Sequence, residues 1–198
     1  MDAAATSMVL FDLDGTLVKS DTLADSLLAL LRTRPRLLLA LPGRLLRGKA
    51  AFKAYVTESV ALDVAHLPYN GKLLAYLQQE HERGRAIYLA TGADQRLARR
   101  VAERLGLFSG VLGSDGSTNL TGEKKLNELR RRVGAGEFDY IGNDWPDLPL
   151  LAQATEAMVA NPSLRLRLGM RSRGIRPARE FRERDGLVKS LLRALLPR

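Results

Sequence analysis

Residues 8 to 17 read MVLFDLDGTL, an apolar run that ends in two carboxylates, Asp12 and Asp14, followed by Gly15 and Thr16. On a strand, residues i and i+2 point to the same side. Two like charges placed in this way repel each other unless a cation lies between them. A hard divalent cation that prefers oxygen ligands, Mg²⁺ first among them, answers that need through Asp12 and Asp14. Past the strand end, Gly15 and Thr16 open a turn whose backbone N–H groups are free to hold an anion such as phosphate. The chemistry so indicated is metal-assisted handling of a phosphate group, and the bland alternative is a strand end with two solvated aspartates.

The elements that would position these residues are short. MVLFDLD (8–14), AIYLAT (86–91), SGVLGS (109–114), FDYIGN (138–143) and AMVAN (157–161) are each too short for a helix, and most end at Gly, Asp, Asn or Thr. Helical patterns separate them. Asp94 caps a helix predicted over 95–105 and closed by Gly106, and Glu123 opens another through about Arg132, with Gly134 beyond it. Five strands alternating with helices predict an α/β fold, a doubly wound parallel sheet of Rossmann-like type. In such folds ligands bind beyond the carboxyl ends of the strands. Asp12, Asp14, Thr91 and the Asn143/Asp144 pair all fall at those ends.

About 70 residues separate the first two strands, far more than one crossover needs. Short helices predicted over 22–33, 35–47 and 49–61, broken at Pro35, Pro42/Gly43 and Gly48, make a small helical cap inserted over the crevice, and 71–83 returns to the sheet. The expected organisation is a core of residues 1–20 and 70–161, a cap of 21–69, and a basic tail or linker of 162–198 ending in an amphipathic helix, LVKSLLRALL. Within the cap, seven basic residues and no acid lie between Asp25 and Glu58.

Of the net charge of +9, residues 161–198 carry +8, with 11 Lys/Arg against 3 Asp/Glu. Such a tail suits nucleic acid, an anionic membrane surface or plain water. It lacks interleaved aromatics apart from Phe181, which argues against nucleic acid. The absence of cysteine excludes disulfides and thiolate chemistry and fits a reducing compartment. No stretch reaches the roughly 18 apolar residues of a membrane span, and MDAAATS does not read as a signal peptide. A cytoplasmic protein, peripheral at the inner face of a membrane if bound there, is the expectation.

DLDGT also resembles the DxDGT signature of the haloacid dehalogenase-like phosphotransferase superfamily. The resemblance implies that Asp12 is a nucleophile forming an aspartyl phosphate and Asp14 the general acid and base. It implies further that Thr91 of LATGA, with the N–H of Gly92, holds a phosphoryl oxygen. A lysine from GEKKLNEL neutralises charge; Lys124 and Lys125 both qualify, and the spacing to Gly122 favours Lys125. The family's GDxxxD motif is matched by GNDWPD, which places Asn143 where an aspartate normally binds metal and Asp147 at the last position, in a supporting role. Either Asn143 ligates Mg²⁺ through its amide oxygen with one negative charge fewer, or Asp144 takes over. Asp14 argues for phosphoryl transfer over carbon–halogen cleavage, and a phosphomutase shares both aspartates.

The Leu/Arg-rich cap, LPYN, SDGSTNLTGEKKL and GNDWPDLPL look like the phosphatase-like domain that precedes UbiA-type polyprenyltransferases in some bacterial fusion proteins. This resemblance implies either a stand-alone relative or the soluble portion of a longer protein. It also implies a phosphorylated small molecule or a prenyl- or lipid-linked phosphate as substrate, and a membrane surface or membrane prenyltransferase as a partner of the tail. The expected activity is a Mg²⁺-dependent phosphomonoester hydrolase. The alternative is a catalytically weakened interaction or regulatory domain beside a membrane prenyltransferase. His66 and His81 have no ligand-like spacing, Trp145 reads as rim or packing, and Leu37 to Leu41 reads first as core, with contact to anionic lipid beside Arg34, Arg36, Arg44 and Arg47 as the alternative.

Overall fold

The strand MVLF, β1 (Met8–Phe11), lies inside a sheet of order β3-β2-β1-β4-β5-β6, so its two neighbours come from distant parts of the chain. The structure is a computed structural model that describes residues 8–133 and 136–183. β2 (Ile87–Asp94), β3 (Gly110–Ser114), β4 (Phe138–Gly142), β5 (Ala157–Ala160) and β6 (Arg179–Phe181) complete it. All five pairings are parallel: Val9, for example, stands beside Ile87 on one side and Asp139 on the other.

Both faces of the sheet are covered, which is why the strands read as unbroken apolar runs. Val9 and Phe11 point into a layer with Ile87, Leu89 and the buried faces of α4 (Gly71–Glu82) and α5 (Gln95–Leu105). Leu10 points the other way, toward Leu112 and the buried residues of α6 (Glu123–Val133), α7 (Leu148–Leu151) and α8 (Leu164–Ser172). Each large side chain so buried contributes about 1.5–3 kcal/mol. Asp94 accepts from Arg96 N–H to start α5, and Gly106 at φ 68° ends it, as the capping pattern predicts.

Between β1 and α4 lie α1 (Thr22–Thr33), a 3₁₀ segment Pro35–Ala40, α2 (Leu41–Leu46) and α3 (Lys49–Ser59). The expectation that Leu37 to Leu41 forms core is corrected. No residue of Pro35–Ala40 or of α2 is buried.

The segment expected to be a tail also needs correction as far as Glu183, because it adds a sixth strand to the predicted five. α8 buries Leu166, Gly169 and Met170, and β6 extends the sheet beyond β5. Alternating Leu and Arg in LRLRLGMR disguised the helix, whose buried positions follow the i, i+3, i+4 spacing only at 166, 169 and 170. A Cβ at Gly169 would lie 2.6 Å from the Trp145 ring, so glycine lets α8 approach closely, and Arg165 covers the ring from 4.6 Å. Trp145 is therefore a packing residue. The predicted terminal amphipathic helix lies outside the described residues, as does Gly134.

Candidate active site

β1 is flanked by β2 and β4, so the chain leaves it in opposite directions and opens a crevice at the carboxyl ends of the strands. The strand itself stops at Phe11. Asp12 stays tied to the sheet through its N–H, which donates to Ile141 O at 3.0 Å, and the next residues curl into a turn closed by Val18 N–H on Leu13 O at 2.9 Å. Leu13 and Leu17 are fully buried and anchor that turn. The strand alternation invoked for residues 12 and 14 therefore does not apply, and their carboxylates meet different partners.

Asp12 faces Lys125. The ammonium donates to Asp12 Oδ1 at 2.9 Å, to Asp147 Oδ1 at 3.1 Å and to the Tyr140 hydroxyl at 2.9 Å, while Tyr140 itself donates to Asp147 Oδ1 at 2.7 Å. All four groups are buried. Burial pushes the Asp12 carboxyl up to about 7; Lys125 opposes the shift, and Asp147 and Asp14 add to it. Burial works on Asp147 in the same direction, but Lys125, the Tyr140 hydroxyl and the N–H groups of Asn143 and Asp144 outweigh it and hold that carboxyl below the usual range. Burial opposes the charge on Lys125, yet Asp12 and Asp147 raise its pKa above the ordinary lysine value. Asp147 thus keeps Lys125 charged and aimed at Asp12. Lys124, the other candidate, is exposed and absent from this network.

Asp14 faces the cap. Its Oδ1 accepts from Thr22 N–H at 2.8 Å, and burial raises its pKa against that hydrogen bond. Asp14, Asp21, Thr22, Ser26, Lys53 and Asp94 line a small cavity of about 60 Å³ between cap and core. Lys53, carried on α3, donates to Gly92 O at 2.6 Å and to Asn119 Oδ1 at 2.9 Å, which pins the cap to the mouth of the crevice. Burial lowers its pKa, opposed by Asp14, Asp21 and Asp12.

Thr91 is buried within β2, which runs three residues beyond the strand end expected at Thr91, and its Oγ1 accepts from Ala93 N–H at 3.0 Å while keeping its own proton to donate. The turn N–H groups are less open than the sequence reading expects: Gly15 donates to Ser20 O at 3.2 Å and Thr16 to Leu13 O at 3.3 Å. Gly15, at φ +70°, serves a different purpose. A Cβ there would lie 2.0 Å from Asn143 Nδ2, so glycine admits the Asn143 side chain beside the turn.

That contact separates Asn143 from Asp144. Asn143 abuts the turn after Asp12, whereas Asp144 is exposed and its Oδ1 accepts from Ser163 Oγ at 2.7 Å. Among the described residues no group of three or more His, Cys, Asp or Glu gathers as a metal cluster. The donor set still fits a hard cation: the groups at hand offer oxygen, and two buried carboxylates against one ammonium leave an excess of negative charge beside Asp12.

Lys53 and Tyr140 are the functional residues that the sequence did not single out. Lys53 is one of seven basic residues in an acid-free stretch, and nothing in its spacing sets it apart. Tyr140 had a weak signal: a tyrosine in a fully buried strand needs a partner for its hydroxyl. His66 and His81 are exposed, His66 pairing with Asp63 at 2.7 Å.

The fold and site together are a parallel sheet with two aspartates beyond its central strand and a lysine held beside the first of them. The family model for haloacid dehalogenase-like hydrolases matches residues 9–152, and the chain belongs to that family. A relative from Sinorhizobium fredii, the uncharacterized protein y4nM, is 32% identical over 184 residues, covering 93% of this chain but 36% of its own length. The chain thus spans about a third of that relative. A protein of unknown function from Bordetella pertussis superposes with a TM-score of 0.66 at 21% identity, over 87% of this chain and 98% of its own. A phospho-aspartyl intermediate analogue of phosphoserine phosphatase gives 0.58 at 15% identity, covering 96% and 98%. These likenesses establish the shared fold.

Proposed function

We propose that the chain hydrolyses phosphomonoesters, with Mg²⁺, through an aspartyl phosphate on Asp12. The observation that carries this is the buried Asp12 carboxylate at the end of β1, held by a lysine that Asp147 and Tyr140 fix in place. Asp12 attacks phosphorus in line, forming its own O–P bond as the ester P–O bond breaks. Asp14, kept protonated more readily by its burial, gives the leaving alkoxide its proton. It then takes a proton from the water that displaces Asp12 from phosphorus. Lys125 balances charge as the phosphoryl group transfers, and the Thr91 hydroxyl donates to a phosphoryl oxygen beside Gly92. Asp12 and Asn143 would hold Mg²⁺, with Asp14 as a further oxygen donor on the same turn. When bound, the ion neutralises carboxylate and phosphoryl charge.

The substrate class that best suits the cap is a phosphorylated small molecule or, more finely, a prenyl- or lipid-linked phosphate. Lys53, bonded to Gly92 O and Asn119 Oδ1, stands at the mouth of the crevice, and a large substrate requires those hydrogen bonds to open. In a longer protein, a membrane prenyltransferase of UbiA type is the partner in keeping with the sequence resemblance. The setting is cytoplasmic, peripheral at the inner membrane face; among the described residues no helix is long and apolar enough to cross a membrane.

Hydrolysis of an aryl phosphate with and without Mg²⁺ tests the reading. Asp12→Asn is expected to lower turnover by on the order of 10³-fold or more; Mg²⁺-dependent turnover that survives this change contradicts it. A second reading, a regulatory domain with weakened turnover, rests on Asn143. Inactivity on a broad phosphate panel that Asn143→Asp restores would favour it.

A further inference from the structure

The cap carries a surface that catalysis does not use. Between residues 31 and 46, Leu39 is 85% exposed, Leu46 90%, Leu45 55% and Leu31 52%. Four of the six exposed large apolar side chains among the described residues thus fall in one short segment. No residue of the 3₁₀ segment or α2 is fully buried, and Leu39, Leu45 and Leu46 gain little from the fold. Around them stand Arg32, Arg34, Arg36, Arg44, Arg47 and Lys49, with no acid between Asp25 and Glu58.

Two of these cations hold the cap together. Arg34 donates to Ser59 O at 3.3 Å, and Arg44 lies 4.7 Å over the Tyr55 ring, whose hydroxyl donates to Leu37 O at 3.1 Å. Arg36 and Arg47 are exposed and remain for an outside partner. Exposed leucines flanked by arginines lose solvation inside a protein interface that offers no acids, but suit a bilayer whose headgroups are anionic and whose acyl boundary accepts apolar side chains.

We infer that this face of the cap, Leu39, Leu45 and Leu46 with Arg36 and Arg47, docks on an anionic phospholipid surface. The leucines enter the headgroup boundary and the arginines meet lipid phosphates. The site differs from the carboxy-terminal tail expected from charge alone. Because Gly48 joins α2 directly to α3, the docked segment adjoins the helix that carries Lys53 into the crevice. The inference does not depend on the phosphatase reading.

Co-sedimentation of the full chain with phosphatidylcholine vesicles, with and without phosphatidylglycerol, tests it. Binding is expected only with phosphatidylglycerol, weakened by salt. It should fall on the order of tenfold for Leu39→Ser/Leu46→Ser and again for Arg36→Gln/Arg47→Gln, with thermal melts unchanged because all four side chains are exposed. Asp12→Asn keeps this binding while losing turnover, which separates the two readings. Three results overturn the inference: no binding to phosphatidylglycerol vesicles, binding untouched by both double variants, or self-association abolished by Leu39→Ser/Leu46→Ser in a chain that ignores vesicles.

Discussion

Lys125 contributes to both stability and chemistry, and the two roles can be separated. Among the described residues it is the only cation bonded to Asp12 and Asp147, which lie buried with it. Lys125→Met leaves both carboxylates without a counter-charge, a change that costs about 3–5 kcal/mol. Urea unfolding should show that loss, and Lys125→Met combined with Asp12→Asn should recover part of it, since one of the stranded charges is gone. Asn143 sets a different quantity. It lies against Gly15, where an amide offers a metal one neutral oxygen. Asn143→Asp adds a charge to the donor set and is expected to lower the Mg²⁺ concentration for half-maximal hydrolysis on the order of tenfold. An unchanged Mg²⁺ dependence would move the ligand role away from this residue.

At the scale of elements, α4 links the site-bearing strands to the carboxy-terminal edge through packing. Tyr76 packs against Phe11 of β1 and Phe181 of β6, with ring centroids 6.3 and 5.3 Å away. Burial, reinforced by Glu80, pushes its phenol up to about 12. A folded-state pKa raised above the unfolded value of 10.0 gives stability that is full below pH 10 and lost as pH rises toward about 12. Tyr76→Phe should therefore show a shallower alkaline loss of stability than the parent, measured by thermal melts across that range. How far the elements could be read in advance follows from burial. β1 through β5 show up as apolar runs because both faces are covered, and α5 is marked by Asp94 and Gly106. α8 and β6 were hidden, since Arg165, Arg167, Arg171 and Arg179 dominate their composition while Leu166 and Met170 are their only fully buried apolar side chains. At the site, Asp12 stood out from residue type and spacing, Thr91 and Lys125 only through the family resemblance, and the structure sets Lys125 against Asp12. Lys53 was not, because its role depends on how the cap is placed over Gly92.

For the whole molecule, residues 162–183 are part of the fold. Asn161 and Glu183 exchange hydrogen bonds at 3.0 and 3.1 Å, and Glu183 also reaches Lys19 at 3.5 Å, so the end of the described chain is fastened beside the turn that follows Asp14. A chain ending at Asn161 exposes the edge of β5 and uncovers Trp145 and Leu148. Loss of Leu166 and Met170 alone removes about 1.5–3 kcal/mol for each side chain. That truncation is expected to unfold without cooperativity and to aggregate, as followed by circular dichroism and light scattering; a cooperative, soluble fragment would restore the tail interpretation. The central claim concerns a single covalent bond, and it is open to direct observation. Protein mixed with an aryl phosphate and Mg²⁺ is quenched in acid within milliseconds and its peptides are weighed by mass spectrometry. A phosphate adduct on the peptide containing Asp12, absent from Asp12→Asn, is the result expected; turnover with no adduct, or an adduct on another residue, would contradict it.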